Sequence, residues 1–307
     1  MDPMTKPGDK LMNQAETLER IMIHSQAQKK RMAPPHDGTL PQPRVICVTS
    51  GKGGVGKTNI VTNLGYALAK GGKKVLILDA DLNLANVDIL LGLTPRYNLH
   101  HVFLGEKTLP EVLVQGPAGL LILPASSGIM ELAELTEQQR LYFLAEMSAL
   151  AQKIDIMLID TAAGINNNVI YFNLAARERI VILTPEPTSL TDAYALIKVL
   201  SSRHDVKRFR ILVNLARSEK EALAVFRKLS IVADRFLDSL SLDYLGYIPY
   251  DSKLPTAVRE QRLVSEFFPD APSSRIFSKL AENISQEEVE IKADGNIKFF
   301  WQGLVDL

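Results

Sequence analysis

The sequence predicts one doubly wound α/β domain, a mostly parallel sheet of seven to eight strands with helices on both faces. Three observations carry this expectation. From Arg44 onward seven apolar runs recur: RVICVTS (44–50), KVLILDA (74–80), GLLILPA (119–125), IDIMLIDTA (154–162), RIVILTP (179–185), RFRILVNL (208–215) and LDYLGYIP (242–249). Several are apolar at consecutive positions, as in strands buried on both faces of a parallel sheet. The stretches between them are long enough for crossover helices, and no internal repeat suggests another architecture.

Residues 1–43 precede the first run. They are polar and carry Pro34, Pro35, Pro41 and Pro43, so they read as a flexible tail. Within the tail Leu11, Ala15, Leu18 and Met22 recur at helical spacing behind a capping Asp9, which predicts a short amphipathic helix. The domain spans 44–290, its last helix running from after Pro272 to about Glu290. A break at Asp294 and Gly295 leads into the closing segment, 291–307. There Ile297, Phe300, Trp301 and Leu304 share one helical face, suited either to a headgroup region or to docking on the protein's own body.

Composition narrows the classes. The 307 residues, 46% apolar, can fill a full core. The 35 basic and 35 acidic side chains cancel, so no chain-wide field draws the protein to nucleic acid or anionic membrane. Cys47 stands alone, which excludes an internal disulfide and a single-chain cysteine cluster, and it reads as a small buried hydrophobe. The start lacks the pattern of a signal peptide, and no apolar run approaches the ~18 residues of a membrane span. The expectation is a cytoplasmic protein whose membrane contact, if any, is peripheral.

The chemistry concentrates at the ends of the runs. Gly51, Lys52, Gly53, Gly54, Val55, Gly56, Lys57 and Thr58 follow the first run and open a helix with Asn59. This is the phosphate-loop pattern in its proper context: glycines let backbone N–H groups converge on phosphate, Lys57 bridges the outer phosphates, and Thr58 ligates Mg²⁺. The second run ends at Asp79 and leads to Asp81, and the fourth ends at Asp160 and leads to Gly164. Carboxylates just beyond parallel strands face a bound phosphate, where they orient water or hold the metal. Thr58, Asp79 and Asp160 form the expected metal set, a strand-end cap being the alternative for Asp79.

The segment K-G-G-V-G-K-T resembles the deviant phosphate loop of the MinD/ParA ATPases. The resemblance implies ATP and Mg²⁺ as cofactors and slow hydrolysis. It implies a homodimer in which Lys52 reaches the partner's nucleotide, with Asp81 positioning the attacking water and Asn86 near the dimer face. It places Asn214, Pro249, Tyr250 and Asp251 around adenine. The segments N-L-A-N-V-D-I-L-L-G-L, D-T-A-A-G-I, E-P-T-S-L-T-D-A-Y-A-L-I-K, D-R-F-L-D and I-K-F-F-W-Q-G-L-V narrow the resemblance to the regulators of flagellar number, the FlhG/FleN group.

That group implies a flagellar enhancer-binding transcription activator as partner. Asp192 and Tyr194 are implied partner contacts, ordinary helix packing being the alternative for Tyr194. Gln14 and Leu18 lie in N-Q-A-E-T-L-E-R, which is similar to the group's element for stimulating an FlhF-type GTPase, although Asn13 and Glu19 depart from it. The closing segment resembles a membrane-targeting helix directed to the inner membrane or cell pole. The alternatives are another MinD-like positioning ATPase or a ParA-like DNA-partitioning ATPase, against the last of which the zero net charge weighs; no direct nucleic-acid contact is expected.

Overall fold

The computed structural model describes residues 43–81, 86–124, 136–237 and 240–287. Eight strands form: β1 (Arg44–Ser50), β2 (Val75–Ala80), β3 (Val114–Gln115), β4 (Leu121–Pro124), β5 (Ile156–Ala163), β6 (Glu178–Leu183), β7 (Arg208–Ala216) and β8 (Ser241–Pro249). Their order across the sheet is β3-β4-β2-β5-β1-β6-β7-β8. All pairs are parallel except β3 with β4. The edge strand β3 is two residues long, too short to show any periodicity in the sequence.

The consecutive apolar positions have the expected cause. In β1, Ile46 and Val48 enter one core while Val45 and Cys47 enter the core on the other side. The chain then alternates sheet and helix: α1 (Lys57–Lys70), α2 (Val87–Leu90), α3 (Leu99–Phe103), α4 (Leu109–Val112), α5 (Glu137–Ala151), α6 (Asn167–Ala175), α7 (Pro187–His204), α8 (Glu219–Phe236), α9 (Lys253–Arg259), α10 (Val264–Phe267) and α11 (Pro272–Gln286). Helices α1, α9, α10 and α11 bury their apolar residues with Ile46 and Val48. Helices α3 to α6 cover Val45 and Cys47, and α7 and α8 continue that layer over β6 and β7.

This order fixes where a ligand can sit. The connection leaving β1 steps toward β2, whereas the one leaving β5 crosses to β6 on the other side of β1. The crevice at such a reversal, at the carboxyl ends of the strands, is the binding place of doubly wound sheets. The opposite edge is closed by charge. Arg44 donates to both carboxylate oxygens of Glu178 at 2.8 Å, and Arg210 bonds Glu287, which caps the end of α11. These pairs join β1, β6, β7 and α11. Gln14 and Leu18 of the tail, and Ile297, Phe300, Trp301 and Leu304 of the closing segment, lie outside the described residues.

Candidate nucleotide site

The loop between β1 and α1 owes its shape to glycines at specific points. A Cβ on Gly51 would stand 2.0 Å from the backbone oxygen of Asp192, so α7 approaches the loop as closely as only glycine allows. Gly54 and Gly56 hold φ of 76° and 92°, in the left-handed region. Gly56 begins α1, accepting the Ile60 N–H at 3.0 Å. The loop amides thus end at a helix N-terminus, a combination that favours an anion.

Lys57 is buried, with its Nζ donating to Ser50 Oγ at 2.9 Å. Burial pulls its pKa down, while the nearby Asp160 and Asp81 charges act in the opposite sense. The Thr58 hydroxyl bonds Asp160, whose carboxyl burial pushes up to about 7. Oδ1 of Asp160 is buried and has no hydrogen-bond partner among the described residues. An unmet carboxylate oxygen beside a threonine hydroxyl is the donor set of a phosphate-bound Mg²⁺. Thr58 and Asp160 therefore fit that ion, which would neutralise the outer phosphates.

Asp79 makes backbone contacts that Thr58 and Asp160 do not. Its Oδ1 accepts the N–H of Asp81 at 3.3 Å, and its Oδ2 those of Asn86 at 3.0 Å and Val87 at 3.2 Å. Both oxygens clasp the two ends of the segment between β2 and α2. The carboxylate thus braces Asp81 and the start of α2, a structural role beside the metal role expected of it.

Lys52 points elsewhere from Lys57. Its Nζ bonds Glu186 Oε2 and, at 2.9 Å, Thr188 Oγ1 at the start of α7, and its side chain is 35% exposed. Gly164, with φ 97°, donates its N–H to the Ser50 carbonyl at 3.0 Å, tying the end of β5 to the loop. Asp192 abuts Gly51 through its backbone. Tyr194 packs half-buried against the core under α7, which is the packing alternative.

At the expected base site the residues divide. Asn214 donates to the Val55 carbonyl at 2.7 Å and accepts the Leu215 N–H at 2.9 Å, so it braces the loop as well as lying beside it. Leu215 holds φ 60° and is exposed, as is Tyr250, whose N–H joins Ala216 just after Pro249 closes β8. Asp251, expected at the base, is buried in structural caps. Its Oδ1 accepts Lys253 N at 2.9 Å and its Oδ2 accepts Ser273 N at 3.0 Å and Ser273 Oγ at 2.7 Å. Those bonds hold its pKa below the ordinary value against the opposing effect of burial. Sequence reasoning missed Ser50, Glu186, Thr188 and Leu215. Glu186 and Thr188 stand in the quoted E-P-T-S-L-T segment, but nothing in their spacing shows that they meet Lys52.

A glycine loop running from a central strand into a helix, with its lysine, threonine and strand-end aspartate converging, defines a phosphate-loop nucleoside triphosphatase. Comparison with known proteins narrows the class. A family model named ParA, described as NUBPL iron-transfer P-loop NTPase, matches residues 42–285. The Antiactivator FleN of Pseudomonas aeruginosa is 45% identical over 87% of this chain and 95% of its own. The Flagellum site-determining protein YlxH of Helicobacter pylori is 34% identical over 84% of this chain and 88% of its own. Among solved structures, septum site-determining protein MinD of Pyrococcus horikoshii, complexed with Mg-ADP, is 28% identical with a TM-score of 0.61, covering 80% of this chain and 96% of that one. The chain belongs to the ParA/MinD family of P-loop ATPases, and ATP with Mg²⁺ is its cofactor set.

Among the described residues no helix is long and apolar enough to cross a membrane.

Proposed function

We propose that ATP switches this chain between a monomer and a face-to-face dimer, and that the switch restrains flagellar number or placement. The observation that carries the switch is Lys52. Its ammonium lies away from the pocket of Lys57 and Thr58, on a partly exposed side, bonded to Glu186 and Thr188. A loop lysine so directed is in position to exchange that pair for phosphate of a second subunit. Asp81, held by the Asp79 clasp, orients the water, and Gly164 reports the outermost phosphate by leaving Ser50.

The flagellar reading is supported by the 45% identity to a protein named an antiactivator and the 34% identity to one named flagellum site-determining. An antiactivator opposes an activator, so a flagellar enhancer-binding transcription activator is the first partner. Gln14 and Leu18 are assigned to an FlhF-type GTPase. Ile297, Phe300, Trp301 and Leu304 are assigned to the inner membrane surface.

Molecular mass in solution with ADP and with ATP tests the switch, repeated with Lys52→Ala and with 296–307 removed. ATP is expected to double the mass of the wild type and not of Lys52→Ala, while the truncated chain still dimerises but no longer sediments with vesicles. A mass indifferent to ATP would sink the switch. Asp81→Ala is expected to retain the ATP dimer and lose phosphate release.

A further inference from the structure

We propose that Ser50 is a positioning residue that competes with nucleotide phosphate for Lys57, and thereby sets how tightly nucleotide is held. Ser50 is the last residue of β1 and is fully buried. Its hydroxyl donates to the Lys52 carbonyl at 2.7 Å and accepts from Lys57 Nζ at 2.9 Å. The assignment is forced, because an ammonium has no lone pair and a carbonyl has no proton. Its own carbonyl accepts the Gly164 N–H at 3.0 Å. One residue therefore touches the phosphate lysine, the backbone of the dimer lysine and the glycine that follows the Asp160 strand.

The energetic consequence follows from burial. A buried ammonium needs an acceptor, and Ser50 Oγ accepts from Lys57 Nζ, with the Asp160 and Asp81 charges nearby. A phosphate oxygen, being charged, takes Lys57 from it, and the net affinity is reduced by the bond surrendered. Without the hydroxyl, the nucleotide-free protein rises in free energy while the phosphate-bound form is unaffected at Lys57. The Lys52 carbonyl, at a half-buried position, can turn to water.

The inference rests on nucleotide occupying the loop, and its test separates the two. ADP affinity and thermal stability, with and without saturating Mg-ADP, are measured on the full chain as wild type, Ser50→Ala and Ser50→Cys. A hydrogen bond to a charged group corresponds to roughly a tenfold change in an equilibrium constant. Ser50→Ala is therefore expected to bind ADP about tenfold more tightly and to lose stability only when nucleotide-free. Ser50→Cys, similar in volume with a weaker acceptor, is expected to fall between. In a Lys57→Met background Ser50→Ala should no longer lower nucleotide-free stability, since the coupled partner is gone. Equal loss of stability in both forms, or ADP affinity unchanged or weakened while wild type binds, overturns the proposal alone. A wild type that binds no ADP overturns the nucleotide reading, and the proposal with it.

Discussion

The four loop glycines differ in why they are glycine, and alanine substitutions will rank them. At Gly51 the added Cβ meets Asp192 O at 2.0 Å, Asp192 C at 2.3 Å and Ala193 N at 2.9 Å, all backbone atoms of α7. Real Cβ atoms essentially never come within 3.0 Å of such a neighbour, so at least 1.0 Å (3.0 minus 2.0) must be opened there. Neither side can turn away as a side chain would. Helix α7 is fixed by Ala193, Leu196, Ile197 and Leu200 in the core, so it moves only by unpacking them. Overpacking of this kind costs ~1–3 kcal/mol. At roughly 2–4 °C per kcal/mol for a domain of this size, Gly51→Ala should lower Tm by about 2–12 °C.

Gly54 has open space around it and φ of 76°, so alanine there bears only the left-handed penalty of ~1–2 kcal/mol. Gly56 combines φ of 92° with Asn214 Nδ2 at 2.5 Å, and its alanine variant must also displace the side chain that holds Val55. Gly53 has ordinary φ and its nearest neighbour at 3.9 Å, so Gly53→Ala should leave Tm unchanged. Scanning calorimetry of the nucleotide-free proteins measures the series. Gly53→Ala as damaging as Gly51→Ala would refute the reasoning, because sequence motif rather than contact would then set the cost.

Other perturbations separate the roles assigned above. Burial raises Asp160 from its ordinary 3.8 to about 7, so its contribution to stability is present below 3.8 and lost as pH rises through about 7. Asp160→Asn, neutral throughout, should melt higher than wild type at pH about 8 without nucleotide and lose Mg²⁺-dependent hydrolysis; a lower melting point there contradicts the burial argument. Glu186→Gln loosens an exposed pair to Lys52 worth ~0.2–1 kcal/mol, so Tm should hold while the ATP dimer forms at about two- to fivefold lower concentration by ultracentrifugation. Asp251→Ala removes caps from the starts of α9 and α11 and should cost about 1–2 kcal/mol for each, with ADP affinity little changed. Loss of ADP binding at unchanged stability would return Asp251 to the base site.

How far the sequence could be read depended on the range of the interaction. The seven long strands and the loop at the carboxyl end of the first were legible because two-faced burial and glycine spacing are local patterns, written into stretches such as RVICVTS and GKGGVGKT. Partners were not. Asn214, Asp79 and Asp251 all stand at the carboxyl edge, as their positions after apolar runs required. Which atoms they bond depends on segments far along the chain: Asn214 meets Val55, 159 residues away, and Asp251 meets Ser273. Lys52 shows the same limit, since its partner Glu186 is 134 residues distant. A strand-end polar residue announces its place but not whether a ligand or the fold itself takes its side chain.

Asp79 shows how the fold can control the chemistry without touching the substrate. Its two oxygens do different things: Oδ2 fixes Asn86 and Val87 at the start of α2, while Oδ1 reaches Asp81 through the longest of the three bonds, 3.3 Å. One carboxylate thus bonds the backbone at both ends of that segment, including Asp81, to which we assign the attacking water. An amide in place of the carboxylate has one acceptor oxygen and presents an NH₂ group to backbone N–H donors, leaving either Asp81 or the α2 amides unmet at about 1–3 kcal/mol. Asp79→Asn should therefore melt lower and hydrolyse ATP more slowly, yet bind ADP within about threefold of wild type, because neither Lys57 nor Thr58 depends on it. Hydrolysis is measured as phosphate release across a Mg²⁺ titration. A raised Mg²⁺ requirement at unchanged Tm would mean that Asp79 is a metal ligand after all, since a brace has no means of altering the metal's affinity while leaving the fold intact.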